Sequence, residues 1–203
     1  TDASNNREDA AGVRPYNIAT QERIVHGRMP MLEIIHARFA KSLQMGLYNL
    51  LRRSVDISTG PVRTVKYDEF SRSLAVPTNL NMITMKPLRG NALMVIDPDL
   101  IFLIVDNLFG GDGRFHTRVE GREFTLTEQR IVQRLLEVIL DGYTKAWKTV
   151  HPIQFEFVRS EMNPQFASIA ASTEIVVTTT FELDISGNRG EFHICIPYAM
   201  LEP

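Results

Sequence analysis

The chain has one cysteine, Cys195, among its 203 residues, so no disulfide can form within it. That usage fits a reducing compartment, and the apolar surroundings Phe192 to Ile196 make Cys195 a small core side chain rather than a nucleophile. Long hydrophobic runs are also missing. The longest, Leu100 to Val105, is far too short to cross a bilayer, and the opening residues T-D-A-S-N-N-R-E-D-A offer no apolar stretch. The expectation is a cytoplasmic chain without a transmembrane segment. Charge of one sign is scarce: 22 basic and 24 acidic side chains leave a formal net charge of −2. No broad basic surface follows from that balance. Nucleic acid or an anionic membrane would need a local patch, of which Arg52-Arg53 is the only hint.

What is present is ordinary globular composition, 44% hydrophobic and 23% charged, enough for one large core. The most informative stretch is D-P-D-L-I-F-L-I-V-D-N-L-F-G-G-D-G-R, Asp97 to Arg114. Asp97 suits an N-cap and Pro98 a first helical turn. Leu100, Ile101, Leu103, Ile104, Val105, Leu108 and Phe109 leave almost no polar side beyond Asp106 and Asn107, which predicts a helix buried on most sides. Gly110 stands where a left-handed terminal residue is expected. Gly111, Asp112 and Gly113 add backbone freedom beyond what a helix stop needs, the pattern of a surface that another molecule approaches closely.

Residues 1–29 read as a polar lead-in, partly mobile, and 30–203 as a single domain. Leu32, Ile35, Phe39, Leu43, Leu47 and Leu50 recur at helical spacing over Pro30 to Arg53, with His36 beside the stripe and assigned no role. Strands are expected at Val62–Phe70, Met82–Pro87 and Asn91–Ile96, the last two joined at Arg89-Gly90. Thr125-Leu126-Thr127-Glu128 has capping-box spacing. It opens a second helix, with Ile131, Leu135, Val138, Ile139, Tyr143 and Trp147 on one side. Alternation at Ile153–Phe157, Val177–Ile185 and Phe192–Ile196 gives further strands, with a hairpin across Gly187-Asn188-Arg189-Gly190. The second half thus repeats the first. Gly90 and Gly190, and Pro98 and Pro197, are displaced by nearly the same interval. The predicted class is α/β (α+β): two pseudo-twofold units, about 30–113 and 125–203, each helix, strand, hairpin and helix, sharing a largely antiparallel sheet. Because Pro197 opens a helix shortly before Pro203, the chain is expected to be a piece of a longer protein.

Familiar chemistry finds little support. G-G-D-G is neither a dinucleotide fingerprint nor a P-loop, and Asp106, Asn107 and Asp112 lack calcium-loop spacing. His26, His36, His116, His151 and His193 are scattered without a metal or hydrolase motif, so no cofactor, metal ligand or catalytic residue is assigned. Asp68-Glu69 and Arg114 to Glu123 read as solvated surface.

Several segments together carry a family resemblance: N-L-F-G-G-D-G-R at Asn107 to Arg114, V-E-G-R-E-F-T-L-T-E-Q-R at Val119 to Arg130 and V-P-T-N-L at Val76 to Leu80. R-P-Y-N from Arg14, L-E-I-I-H-A-R-F-A from Leu32, V-R-S-E-M from Val158 and E-F-H-I-C-I-P from Glu191 extend it over nearly the whole chain. It closely resembles the middle domain of the FliM family of bacterial flagellar motor switch proteins. The resemblance implies the fold of the CheC, CheX and FliY phosphatase relatives. It also implies a structural and signalling role in the cytoplasmic C-ring, at the cytoplasmic face of the inner membrane. FliG would be bound through Phe109, Gly110, Gly111, Asp112, Gly113 and Arg114, and neighbouring FliM copies would pack alongside. In that family FliN and phosphorylated CheY are reached through further regions, a C-terminal domain and an N-terminal E-I-D-A-L-L-N type motif, which these residues do not contain. A phosphatase reading is disfavoured because no asparagine here has a glutamate three residues before it. If the loop is an exposed docking surface, Gly111→Val and Asp112→Ala should weaken FliG capture and leave the melting temperature nearly unchanged.

Overall fold

A computed structural model describes residues 29–111 and 123–202. Helix α1 (Pro30–Leu51) begins with proline in its first turn and ends at Arg52, whose left-handed φ of 55° returns its N–H to the Tyr48 carbonyl. Strands β1 (Asp56–Thr59) and β2 (Arg63–Lys66) follow, then a short helix α2 (Tyr67–Ser73). Hairpin β3 (Asn79–Lys86) and β4 (Asn91–Ile96) leads into α3 (Pro98–Leu108). The second half opens with α4 (Leu126–Trp147) and β5 (Gln154–Glu161). After a single 3-10 turn at Pro164–Phe166 come β6 (Ile175–Ile185), β7 (Asn188–Pro197) and the start of α5 (Tyr198–Leu201).

The seven strands among the described residues join one antiparallel sheet in the order β1-β6-β7-β4-β3-β5, with β2 pairing β6 beyond the end of β1. The order is symmetric about the β4–β7 contact, because each half lends its first strand to the other half's hairpin: β1 lies on β6, and β5 lies on β3. The register carries the same twofold. Thr84 pairs with Asn91 and Leu183 with Gly190, each residue of the second pair 99 positions after its counterpart, the interval that also carries Pro98 onto Pro197. The pseudo-twofold, largely antiparallel arrangement expected from the repeat is therefore the one observed.

Period-two side chains of the sheet divide between two cores. One face, with Ile83, Met94, Phe181, Phe192 and Ile194, meets α1, α3 and α4. At its centre the Phe39 ring stands edge-on to Phe181, centroids 5.1 Å apart, and Phe181 stacks on Phe192 at 4.9 Å. His36 is buried there too, its Nε2 2.8 Å from the Tyr143 hydroxyl. The opposite face, with Leu80, Met82, Val95 and Val176, takes a smaller cluster under Tyr67 and Phe70. Cys195 lies in this second cluster, fully buried, and burial pushes its thiol far up, so it is a packing residue as expected.

Three expectations about these elements need correction, and one strand is additional to them. Val62–Phe70 is not one strand: it turns helical at Tyr67, where the N–H groups of Tyr67 and Asp68 bond to the carbonyls of Glu174 and Ser172, and Tyr67 and Phe70 bury side by side. Strand β1 was not expected at all, since the edge sequence D-I-S-T is mostly exposed and has no alternation to read. The second hairpin turns tightly at Ser186-Gly187, both at positive φ, and Gly190 lies within β7. Gly190 is instead where α3 crosses the strand: a Cβ there would lie 2.6 Å from the Leu100 Cα. Among the helix residues thought buried, Phe109 is 71% exposed. Of the polar lead-in at 1–29, residues 1–28 lie outside the described residues, and Met29 is the N-cap of α1, packed against the core.

Candidate functional site

Helix α3 is the rigid base of the glycine loop. It starts with Pro98 in its first turn, and the Asp97 carbonyl accepts from the N–H groups of Leu100 and Ile101. The Asp97 side chain does not cap it, contrary to expectation, because its Oδ1 lies 3.1 Å from His193 Nε2. Leu100, Ile101, Leu103, Ile104 and Asn107 are buried. Asn107, polar and in the last turn, is held by an Nδ2 bond of 2.8 Å to the Leu103 carbonyl.

The far end closes as a Schellman motif. Gly110 takes φ of +81°, its N–H bonds the Asn107 carbonyl at 3.3 Å, and the Gly111 N–H bonds the Asp106 carbonyl at 2.9 Å. A side chain at Gly110 would meet nothing within 4 Å, so its cost is backbone strain alone. Gly111 is different: its φ is not left-handed, but a Cβ there would run into the Asp106 carboxylate. A branched residue at Gly111 therefore has to displace the end of the Asp106 side chain, a shift that a flexible side chain can make, and the melting temperature of Gly111→Val, expected nearly unchanged, measures what that shift costs. Of the six expected docking residues, Phe109, Gly110 and Gly111 stand together here, while Asp112, Gly113 and Arg114 lie outside the described residues. Phe109 presents its ring to solvent at the lip of the helix, directly before the turn.

Sequence reasoning missed the cleft beside this helix. Phe102 of α3 contacts the Phe124 ring, centroids 6.2 Å apart, and Phe124 lines a cleft of about 820 Å³ between α4 and the β3–β5 end of the sheet. Val132, Leu136 and Leu140 form one wall, and Phe157 and Phe166 another, the latter 63% exposed. Asn79, Asn81 and Ser160 are among its polar lining residues; Ser160 Oγ donates to Asn81 Oδ1 at 2.6 Å, and Asn81 Nδ2 donates to the Met94 carbonyl at 3.1 Å. Its lining is drawn from positions 79 to 166, so no local motif announces it. Helix α4, which forms the wall, begins with the expected capping box: Thr125 Oγ1 accepts from the Glu128 N–H, and the Glu128 carboxylate accepts from the Thr125 N–H at 2.8 Å. Among the described residues no helix is long and apolar enough to cross a membrane.

Comparison with known proteins takes in nearly the whole chain. The flagellar motor switch protein FliM of Salmonella typhimurium strain LT2 is 55% identical over 192 residues, which are 94% of this chain and 58% of that protein. The chain thus spans a little under three fifths of that relative. The crystal structure of the FliM middle domain from Vibrio alginolyticus superposes with a TM-score of 0.78 at 40% identity, covering 86% of this chain and 97% of that one. A FliG-FliM complex from H. pylori matches with a TM-score of 0.77 at 28% identity over 84% of this chain and 94% of that one. The model of the family described as flagellar motor switch protein FliM matches residues 25–203, and the chain belongs to that family.

Proposed function

We propose that this chain is the middle domain, residues 30–203, of a flagellar motor switch subunit that docks FliG through Phe109, Gly110, Gly111, Asp112, Gly113 and Arg114. The observation that carries this reading is the exposed Phe109 ring on a Schellman-closed helix end whose base is locked into the core. A rigid base presents the turn without loss of loop entropy, and an aromatic at its lip supplies the buried anchor that interfaces of this kind use. The complex of FliG with the H. pylori relative supports the choice of partner. Neighbouring copies pack alongside in the cytoplasmic C-ring at the inner membrane face. The chemotaxis signal, entering through CheY and FliN contacts elsewhere in the longer protein, passes through this domain to rotation direction. Alone, the domain is expected to be monomeric or weakly self-associating at micromolar concentration.

A CheC-type phosphatase is the alternative, and specific residues argue against it. The one helical glutamate of α1, Glu33, is followed three residues later by His36, which is buried against Tyr143 and cannot orient water at a surface. Sedimentation of the purified chain mixed with FliG tests the docking. A one-to-one complex at micromolar concentration is expected; two independently sedimenting species would overturn the assignment.

A further inference from the structure

The sheet and α3 bring together three side chains that the sequence keeps far apart. Asp97, Glu191 and His193 each offer one ligand atom, all within 4.8 Å of one another, on side chains that are only partly buried. The placement follows from rigid elements. Val95 pairs with His193 and Ile96 with Phe192 across β4–β7, and the next N–H, that of Asp97, bonds the Glu191 carbonyl at 3.1 Å. Glu191 and His193, two apart on one strand, share a face.

Three features set this cluster apart from an ordinary surface ion pair. Asp97 turns its carboxylate away from the helix end it would cap and toward the imidazole, forgoing the capping bond. His193 is anchored from behind, its Nδ1 2.8 Å from the Thr180 hydroxyl. Without an ion, Nε2–H donates to Asp97 Oδ1; with one, that proton is displaced, Nδ1–H donates to the Thr180 oxygen and Nε2 turns its lone pair to the metal, the hydrogen-bonded support that metal-binding histidines use. Glu191, finally, has no hydrogen-bond or salt-bridge partner among the described residues, although it lies beside the Asp97 carboxylate and directly opposite Glu182 in the β6–β7 ladder. Arg189 is turned to Glu182 and Asp184, at 3.7 and 3.3 Å. Two carboxylates and one oriented imidazole facing a common point leave negative charge that a divalent cation would neutralise.

We propose that Asp97, Glu191 and His193 form a binding site for a divalent transition metal, zinc in the first instance. Zinc takes imidazole nitrogen and carboxylate oxygen at about 2.0 to 2.2 Å, and its tetrahedral shell places ligand atoms roughly 3.3 Å apart, within a small side-chain rotation of the observed spacing. Three protein ligands leave a fourth position for water. The 33% exposed Asp97 side chain gives the ion a path from solvent. Bound there, the ion ties the start of α3 in the first half to β7 in the second.

The test is calorimetric titration of chelator-treated protein with zinc chloride, alongside melting with and without zinc. One zinc per chain at micromolar affinity or tighter is expected, with a melting temperature several degrees higher at saturating zinc. Glu191→Gln alters a carboxylate that has no partner among the described residues, so its melting temperature without zinc should match the parent while zinc affinity falls at least tenfold. His193→Gln should weaken binding by as much or more. Absence of saturable binding up to about a hundred micromolar would overturn the site, as would undiminished affinity in both variants, which would place any bound zinc elsewhere.

Discussion

His36 should make this domain acid-sensitive in a way that a single substitution removes. The side chain is 1% exposed, its Nε2 meets the Tyr143 hydroxyl, its Nδ1 has no partner among the described residues, and the Phe181 ring stands edge-on to it at 5.3 Å. Burial pushes its pKa from the ordinary 6.5 down to about 3. Above pH 6.5 the imidazole is neutral whether the chain is folded or not, and the group contributes no pH dependence. Between 6.5 and about 3 the unfolded chain holds a proton that the folded chain refuses, so stability is lost as pH falls. At about pH 5 the loss is 1.5 pH units at 1.36 kcal/mol each, about 2 kcal/mol, a large share of the 5 to 15 kcal/mol typical of a domain. Urea unfolding followed by circular dichroism at about pH 7.5 and about pH 5 measures it. His36→Phe should cost about 1 to 2 kcal/mol at the higher pH, because the Tyr143 hydroxyl is left without that partner. Its further loss on acidification should be smaller than the parent's by about 2 kcal/mol. Equal acid losses in the two proteins would refute the reasoning.

Other consequences are as direct. Gly190→Ala forces apart α3 and β7 at backbone contact and should cost about 2 to 3 kcal/mol, a fall of roughly 5 to 10 °C in melting temperature by calorimetry. Gly187→Ala, in the open hairpin turn at φ of +85°, should cost only about 1 kcal/mol of backbone strain. Thr125→Ala removes one half of the capping box at the head of α4 and should cost about 1 kcal/mol, with Thr125→Ser restoring most of it. Phosphorylated CheY should decay at its own rate in the presence of the chain, and a saturable acceleration would revive the phosphatase reading.

Which parts were legible in the sequence follows from where the information sits. Helices α1 and α4 each bury one side along six turns, so their spacing alone announces them, and the capping box marks the start of α4 to the residue. Gly110 was readable as a helix stop because a Schellman turn is local. Gly111 was not, because its constraint comes from the folded-back Asp106 side chain rather than from its own φ. Val62–Phe70 misled because its apolar positions fit a strand, whereas docking onto residues 172–174 makes the second part helical. Asp97 has the residue type and place of a cap. What turned it elsewhere is an imidazole 96 residues away, and no window along the chain contains both. The cleft under Phe124 is likewise a product of the sheet order.

The central claim is that the turn after α3 is a docking surface and not only a helix stop, and the affinity of Phe109→Ser for FliG tests it most directly. The ring is 71% exposed, so its removal should leave the melting temperature within about 1 °C of the parent. If it anchors the partner, its loss should cost about 2 kcal/mol or more, a rise in Kd of roughly thirtyfold. An unchanged Kd for Phe109→Ser, at unchanged stability, would contradict the account and place the FliG surface elsewhere on the domain.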